Sequence, residues 1–289
     1  MMEWLTFLVE PLSYPFMQRA LVIAILVGAS CAVLSCFLVL KGWSLMGDAI
    51  SHAVLPGIVL AYIAAVPLAI GAFVAGLFCA IFTGYIKENS RIKEDTVMGI
   101  VFSGMFAAGL VLFVKIETDQ HLDHILFGNL LGVSISDIIT TAIIAGTSLF
   151  LILVRRRDFL LYCFDPQHAR AIGLPVRAIH YALLILLSLT IVSSLKAVGI
   201  ILVIAMLIAP GAIAYLMTDR FDMMLIIALS AAIGSSIIGT LGSFYIDAAT
   251  GPTIIVTQSI LFVLAMMFAP RYGVFAVRRK QKSLGNQQS

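Results

Sequence analysis

Nine stretches of this chain, at about 17–40, 49–66, 70–86, 97–116, 135–154, 178–196, 197–218, 223–245 and 252–270, are apolar for long enough to cross a bilayer. A helical span needs roughly 20 mostly apolar residues at about 1.5 Å of rise each. In water these runs would all have to be hidden in one core. The composition closes that route: 61% of the residues are hydrophobic and 11% are charged, where a soluble domain carries about a quarter charged. The fold class that follows is all-α, a polytopic transmembrane helical bundle. Nine spans are expected and eight are the near alternative, because 49–66 and 70–86 are short and Val66-Pro67 marks either a turn or a kink. The pair meeting near Lys196 is equally tight. Residues 1–289 read as a single transmembrane domain, with Gln281 to Ser289 a solvated tail.

Basic residues accumulate on the cytoplasmic side of membrane proteins. Assigning the loops near 41, 87–95, 155–177 and 219–222 and the segment 271–289 to the cytoplasm places all but Arg19, Lys115 and Lys196 of the 18 Lys and Arg on that side. The opposite assignment inverts the ratio. A multi-pass membrane protein with a cytoplasmic C-terminus is expected. The N-terminus is outside for nine spans and inside for eight. The first residues carry Glu3 and Glu10 where a cleavable signal carries basic residues, so targeting is expected to rest on the first span. Cys31, Cys36, Cys79 and Cys163 lie in or beside apolar runs without a C-x-x-C pair. Cys31 and Cys36 would diverge by roughly 140° on a helix, so neither a disulfide framework nor a thiolate site is indicated.

The opposite side is acidic. It receives Glu117, Asp119, Asp123, Asp137 and Asp247, with His121 and His124. Such a mouth concentrates cations, which makes Asp247, His121 and His124 secondary candidates for metal contact; a plain polar loop is the alternative. The following HILFGNLLGV, His124 to Val133, is apolar but too short to cross. It fits a re-entrant or interfacial segment buried in protein. Its Gly128 and Gly132 form a G-x-x-x-G that permits close helix approach.

Asp48 and His52 stand in GDAISHAVLPG at the start of an apolar run. Four residues apart, they fall on one helix face, one turn from each other. A charge in a membrane helix costs roughly 2.5–3.5 kcal/mol on insertion scales, which favours a functional role. Pro56-Gly57 should weaken the helix one turn later, and interrupted helices often hold transporter ion sites. Carboxylate with imidazole suits Mn, Fe or Zn. An N-capping Asp and a His satisfied by a helix contact are the structural alternatives. In FDPQHARAIGLP, Asp165 suits an N-cap, Pro166 the first helical position, and Gly173 the C-terminal cap. A two-turn helix in a basic loop follows, with Ala169, Ile172 and Leu174 as a small apolar face for a partner or for lipid headgroups.

No Gly is followed directly by Lys, so a Walker A loop is missing, as are H-E-x-x-H and G-x-S-x-G. An enzyme is not expected, and any ATP hydrolysis belongs to another subunit. An ion-coupled secondary transporter of cations is the alternative. It would carry membrane-embedded carboxylates in matching halves, whereas Asp-x-x-x-His is not repeated later in the chain.

VLKGWSLMGDAISHAVLPGI, KEDTVMGIVFSGMFAAGLVL, LFGNLLGVS, FDPQHARAIGLP and LIAPGAIAYL together resemble the integral-membrane permeases of bacterial ABC importers for manganese, iron or zinc, and most closely the manganese/iron branch. The likeness runs over nearly the whole chain. It implies import of Mn2+ or Fe2+, with Zn2+ less favoured, as transported ions rather than a permanently bound cofactor. It also implies a second permease copy or a related permease, an ATPase on each cytoplasmic loop helix, and a metal-binding protein outside. By that resemblance Asp48 and His52 are metal-pathway ligands, and Asp165, Pro166, Ala169, Ile172 and Gly173 belong to the helix that couples to the ATPase. Membrane lipid is an expected partner; nucleic acid is not.

Overall fold

The computed structural model describes residues 10–43, 45–115, 130–270 and 273. Among them nine helices are long and apolar enough to cross a membrane. The chain begins with a short 3-10 turn, Pro11–Ser13, and then runs through α1 (Pro15–Lys41), α2 (Met46–Ile63), α3 (Leu68–Glu88), α4 (Glu94–Lys115) and α5 (Ile135–Val154). Two short helices follow, α6 (Arg156–Phe164) and α7 (Pro166–Ala171), then α8 (Val176–Met217), α9 (Phe221–Ile246) and α10 (Thr250–Phe268). The long α8 comprises two spans, Val176–Leu195 and Ala197–Met217. Gly199 separates their geometry, with φ 78° and ψ 167°, a backbone region that glycine alone enters without strain.

The first helix is the centre of the bundle. Its most apolar window is 72% buried, against 22% for α4 and α5 and 17% for α10, so those three face lipid. Ile23, Val27, Cys31, Leu34 and Phe37 of α1 share one core with Leu183, Leu187, Leu202 and Met206 of α8. Some polar side chains in this core bond the backbone of a neighbouring helix. Pro210 removes one donor from the ladder of α8, and beside it Ser35 of α1 bonds the helix backbone. Its hydroxyl accepts from the Gly211 N–H at 2.9 Å and donates to the Ile208 carbonyl at 3.2 Å.

The second helix packs chiefly on α3 and α4. Gly57 and Gly71 set the α2–α3 crossing, where a Cβ on either would run into the carbonyl oxygen of the other. Two expectations change here. The span expected at 49–66 begins three residues earlier, at Met46. Pro56-Gly57 does not interrupt it: α2 runs unbroken to Ile63, and Gly57 serves a close helix contact instead. A turn at Val66-Pro67 separates α2 from α3, and the described residues hold nine span-length helices rather than eight. Of the segment expected to be re-entrant, the described part holds a 3-10 turn, Leu130–Gly132, with Leu130 and Val133 buried against the core. Gly128 lies outside the described residues, as do His121 and His124.

Candidate metal pathway

Asp48 sits in the first turn of α2, whose N-cap is Leu45. It makes no side-chain cap, so the capping alternative is not the arrangement found. One turn on, His52 Nε2 lies 3.4 Å from Asp48 Oδ1, with the two side chains 27% and 30% exposed. Neither sealed in the core nor open to bulk solvent, the pair occupies a half-buried position at one end of the bundle. Phe102 and Phe106 of α4 confine the imidazole, with ring centroids at 6.1 and 5.2 Å. Buried His52 Nδ1 has no hydrogen-bond partner among the described residues, an uncommon state for a buried polar atom. Pro56 has no N–H, so the carbonyl of His52 lacks its usual helical donor.

The arrangement brings a carboxylate and an imidazole together on one turn of one helix. That donor set suits divalent manganese, iron or zinc. No group of three His, Cys, Asp or Glu side chains able to hold a metal occurs among the described residues. Asp247 is not part of it. This residue closes α9 in a left-handed conformation, φ 53°, and is exposed. Counting crossings, the end of α9 and the start of α2 are at opposite ends of the bundle.

The cytoplasmic-type loop is more ordered than its sequence indicates. Asp165 Oδ1 accepts from the N–H groups of Gln167 and His168 at 3.0 and 2.9 Å, and Pro166 opens α7. At the other end Gly173, with φ 85°, donates to the Arg170 carbonyl, and Leu174 donates to that of Ala169. The caps therefore fall where the sequence placed them. The apolar face divides differently. Ala169 is wholly buried within its own chain, while Ile172 is 56% and Phe164 66% exposed. Ile172 and Phe164, not Ala169, form the exposed apolar surface of this loop.

Sequence reasoning missed α6 and the cluster it joins. Tyr162 of α6 bonds His180 Nδ1 of α8 at 2.8 Å. The Lys41 ammonium lies 4.2 Å from the Tyr162 ring centre, and buried Trp43 meets His180 edge-on at 5.3 Å. Trp43 stands two residues before the cap of α2, so this cluster ties the loop helices to the helix carrying Asp48 and His52. Its members come from three separate segments, and only the polar aromatic K-G-W between two spans hinted at it.

The family model for the ABC 3 transport family matches residues 13–269. The chain is 65% identical to the chelated iron transport system membrane protein YfeD of Yersinia pestis, over 90% of this chain and 87% of that one. It is 53% identical to the manganese transport system membrane protein MntB of Synechocystis, over 96% and 90%. The solved structure of PsaBC from Streptococcus pneumoniae in complex with a Fab superposes with a TM-score of 0.84 at 38% identity, covering 94% of this chain and 98% of that one. A bundle of this topology with such matches along almost its full length is a membrane permease, and the chain belongs to the ABC 3 transport family.

Proposed function

We propose that this chain is the permease subunit of an ATP-driven importer that carries manganese or iron, as divalent ions, across the plasma membrane into the cytoplasm. The observation that carries the reading is the half-buried Asp48–His52 pair, a carboxylate beside an imidazole whose other nitrogen has no partner among the described residues. Relatives named for manganese and for iron transport support the choice of ions. Transport, as opposed to storage, asks for a site that binds firmly enough to admit an ion yet weakly enough to release it. An incomplete shell per chain meets that demand, and a second permease copy would complete it. The energy comes from a separate ATPase seated on α7 and the exposed Phe164 and Ile172. An external metal-binding protein delivers the ion to the acidic side.

The test is uptake by the complex reconstituted with its ATPase and binding protein, with Mn2+, Fe2+ and Zn2+ in competition. Uptake of Mn2+ that requires ATP and is competed by Fe2+ is the expected result. Uptake that proceeds on an ion gradient without the ATPase would contradict the proposal.

A further inference from the structure

Two cavities lie along α9 and differ in chemistry. At the start of the helix is a cleft of about 600 Å³ lined by Arg156, Arg157, Leu160, Arg220, Phe221 and Asp222, with Met223 at its edge. Three guanidinium groups there face one carboxylate, and that carboxylate is already held by Arg156 at 2.9 Å. Arg157 and Arg220 make no ion pair among the described residues. The cleft thus keeps an excess of two positive charges, and planar guanidinium forks match phosphate oxygens. Phe221, Asp222 and Met223 also form the first turn of α9, whose amides have no carbonyl of their own helix to bond.

Deeper on the same helix is a second cavity, an apolar groove of about 600 Å³ among Met217, Ile227, Ser230, Gly234, Ile238 and Leu264. Met223, Ile227, Ser230, Gly234 and Ile238 recur every three or four residues, so cleft edge and groove share one face of α9. From Met223 to Ile238 the helix rises about 22 Å, close to the thickness of one leaflet's acyl region plus the carbonyl level. The floor of the groove is open at Gly234, where an added Cβ meets nothing within 4 Å.

We propose that this face of α9 binds one anionic phospholipid. Its phosphate sits among Arg156, Arg157 and Arg220 at the basic end of the bundle, and one acyl chain lies along the groove from Ile227 to Ile238. A free phosphate or an acidic protein segment would use the arginine cleft alone. Only a molecule with a charged head and an apolar tail uses both cavities in this order. Basic pockets at the cytoplasmic membrane face are suited to such headgroups.

The experiment is native mass spectrometry of the purified full-length protein in mild detergent, offered equal amounts of phosphatidylglycerol and phosphatidylcholine. Wild type should retain phosphatidylglycerol in preference by about tenfold. R157Q combined with R220Q should bring that preference close to one. G234L puts bulk into open space and raises helix propensity, so it should fold normally and lose the retained lipid; it carries the test even where the charge variant purifies poorly. A parallel arm adds inorganic phosphate alone, which should neither stabilise the protein nor displace the lipid. Equal retention of the two lipids by wild type would overturn the proposal. So would phosphatidylglycerol retention unchanged in G234L, or stabilisation by inorganic phosphate that the arginine variant abolishes.

Discussion

Cys163 lies in α6 between a run of arginines and the cap of α7, in a loop where a thiol in water would ionise near 9.0. Burial pushes it up to about 12, the positive charge of Lys41 pulling only weakly the other way. The Sγ points at the Phe37 carbonyl of α1, 3.8 Å away. A variant keeping Cys163 as its sole cysteine should therefore resist iodoacetamide at pH 8 while folded and react once denatured; rapid labelling of the folded protein would show α6 undocked. The sign for stability follows. The unfolded thiol ionises first, so the contribution of this group is lost as pH rises above about 9. At this scale the sequence was legible where one helix carried the whole message, as with Asp48 and His52 four residues apart. It was illegible where segments far apart in the chain met, as with Lys41, Trp43, Tyr162 and His180. Pro56 is intermediate: it is plain in the sequence, but that the helix runs through it is visible only in the structure.

Among the elements, the spans were readable because each must bury about 20 residues in one apolar solvent. Their ends were less so, and α2 starts three residues before its apolar run because Met46, Gly47 and Ala49 pack inside the bundle. Helix α6 escaped notice because R-R-R-D opens it and neither length nor hydropathy marks it as a span. The caps of α7 were legible since Asp165, Pro166 and Gly173 each have one strong positional preference. Which face of so short a helix turns inward was not, as Ala169 and Ile172 are both apolar. That division makes a prediction. A169E would bury a charge without a partner and should destabilise the loop, lowering the yield of intact protein. I172E should leave the fold intact and weaken co-purification of the ATPase by about tenfold or more, on the order of 1.4 kcal/mol. Normal co-purification of I172E would move the docking face elsewhere.

For the molecule as a whole, charge placement and helix count agree. Taken as crossings, the nine span-length helices among the described residues bring the loop at Asn89, the α6–α7 segment and the end of α10 to one side, where the sequence places most of the Lys and Arg. Cysteines introduced at Asn89 and Gln287 in a cysteine-free background should resist impermeant reagents in intact cells, while one at Ala248 should react; the reverse pattern would invert the orientation. The architecture also explains why the candidate site is small. The central helix α1 is given over to packing, and Asp48 and His52 stand on α2 at its flank, where α4 confines His52. The most direct measurement is ATP-driven Mn2+ uptake by reconstituted complexes carrying D48N or H52A, alongside their ATPase association and melting temperature. D48N keeps the shape and removes the charge, and H52A removes a ligand outright. Each should assemble and melt like wild type, yet lose at least about 90% of uptake, a tenfold effect worth roughly 1.4 kcal/mol. Uptake at the wild-type rate in both correctly assembled variants would show that the metal takes another path.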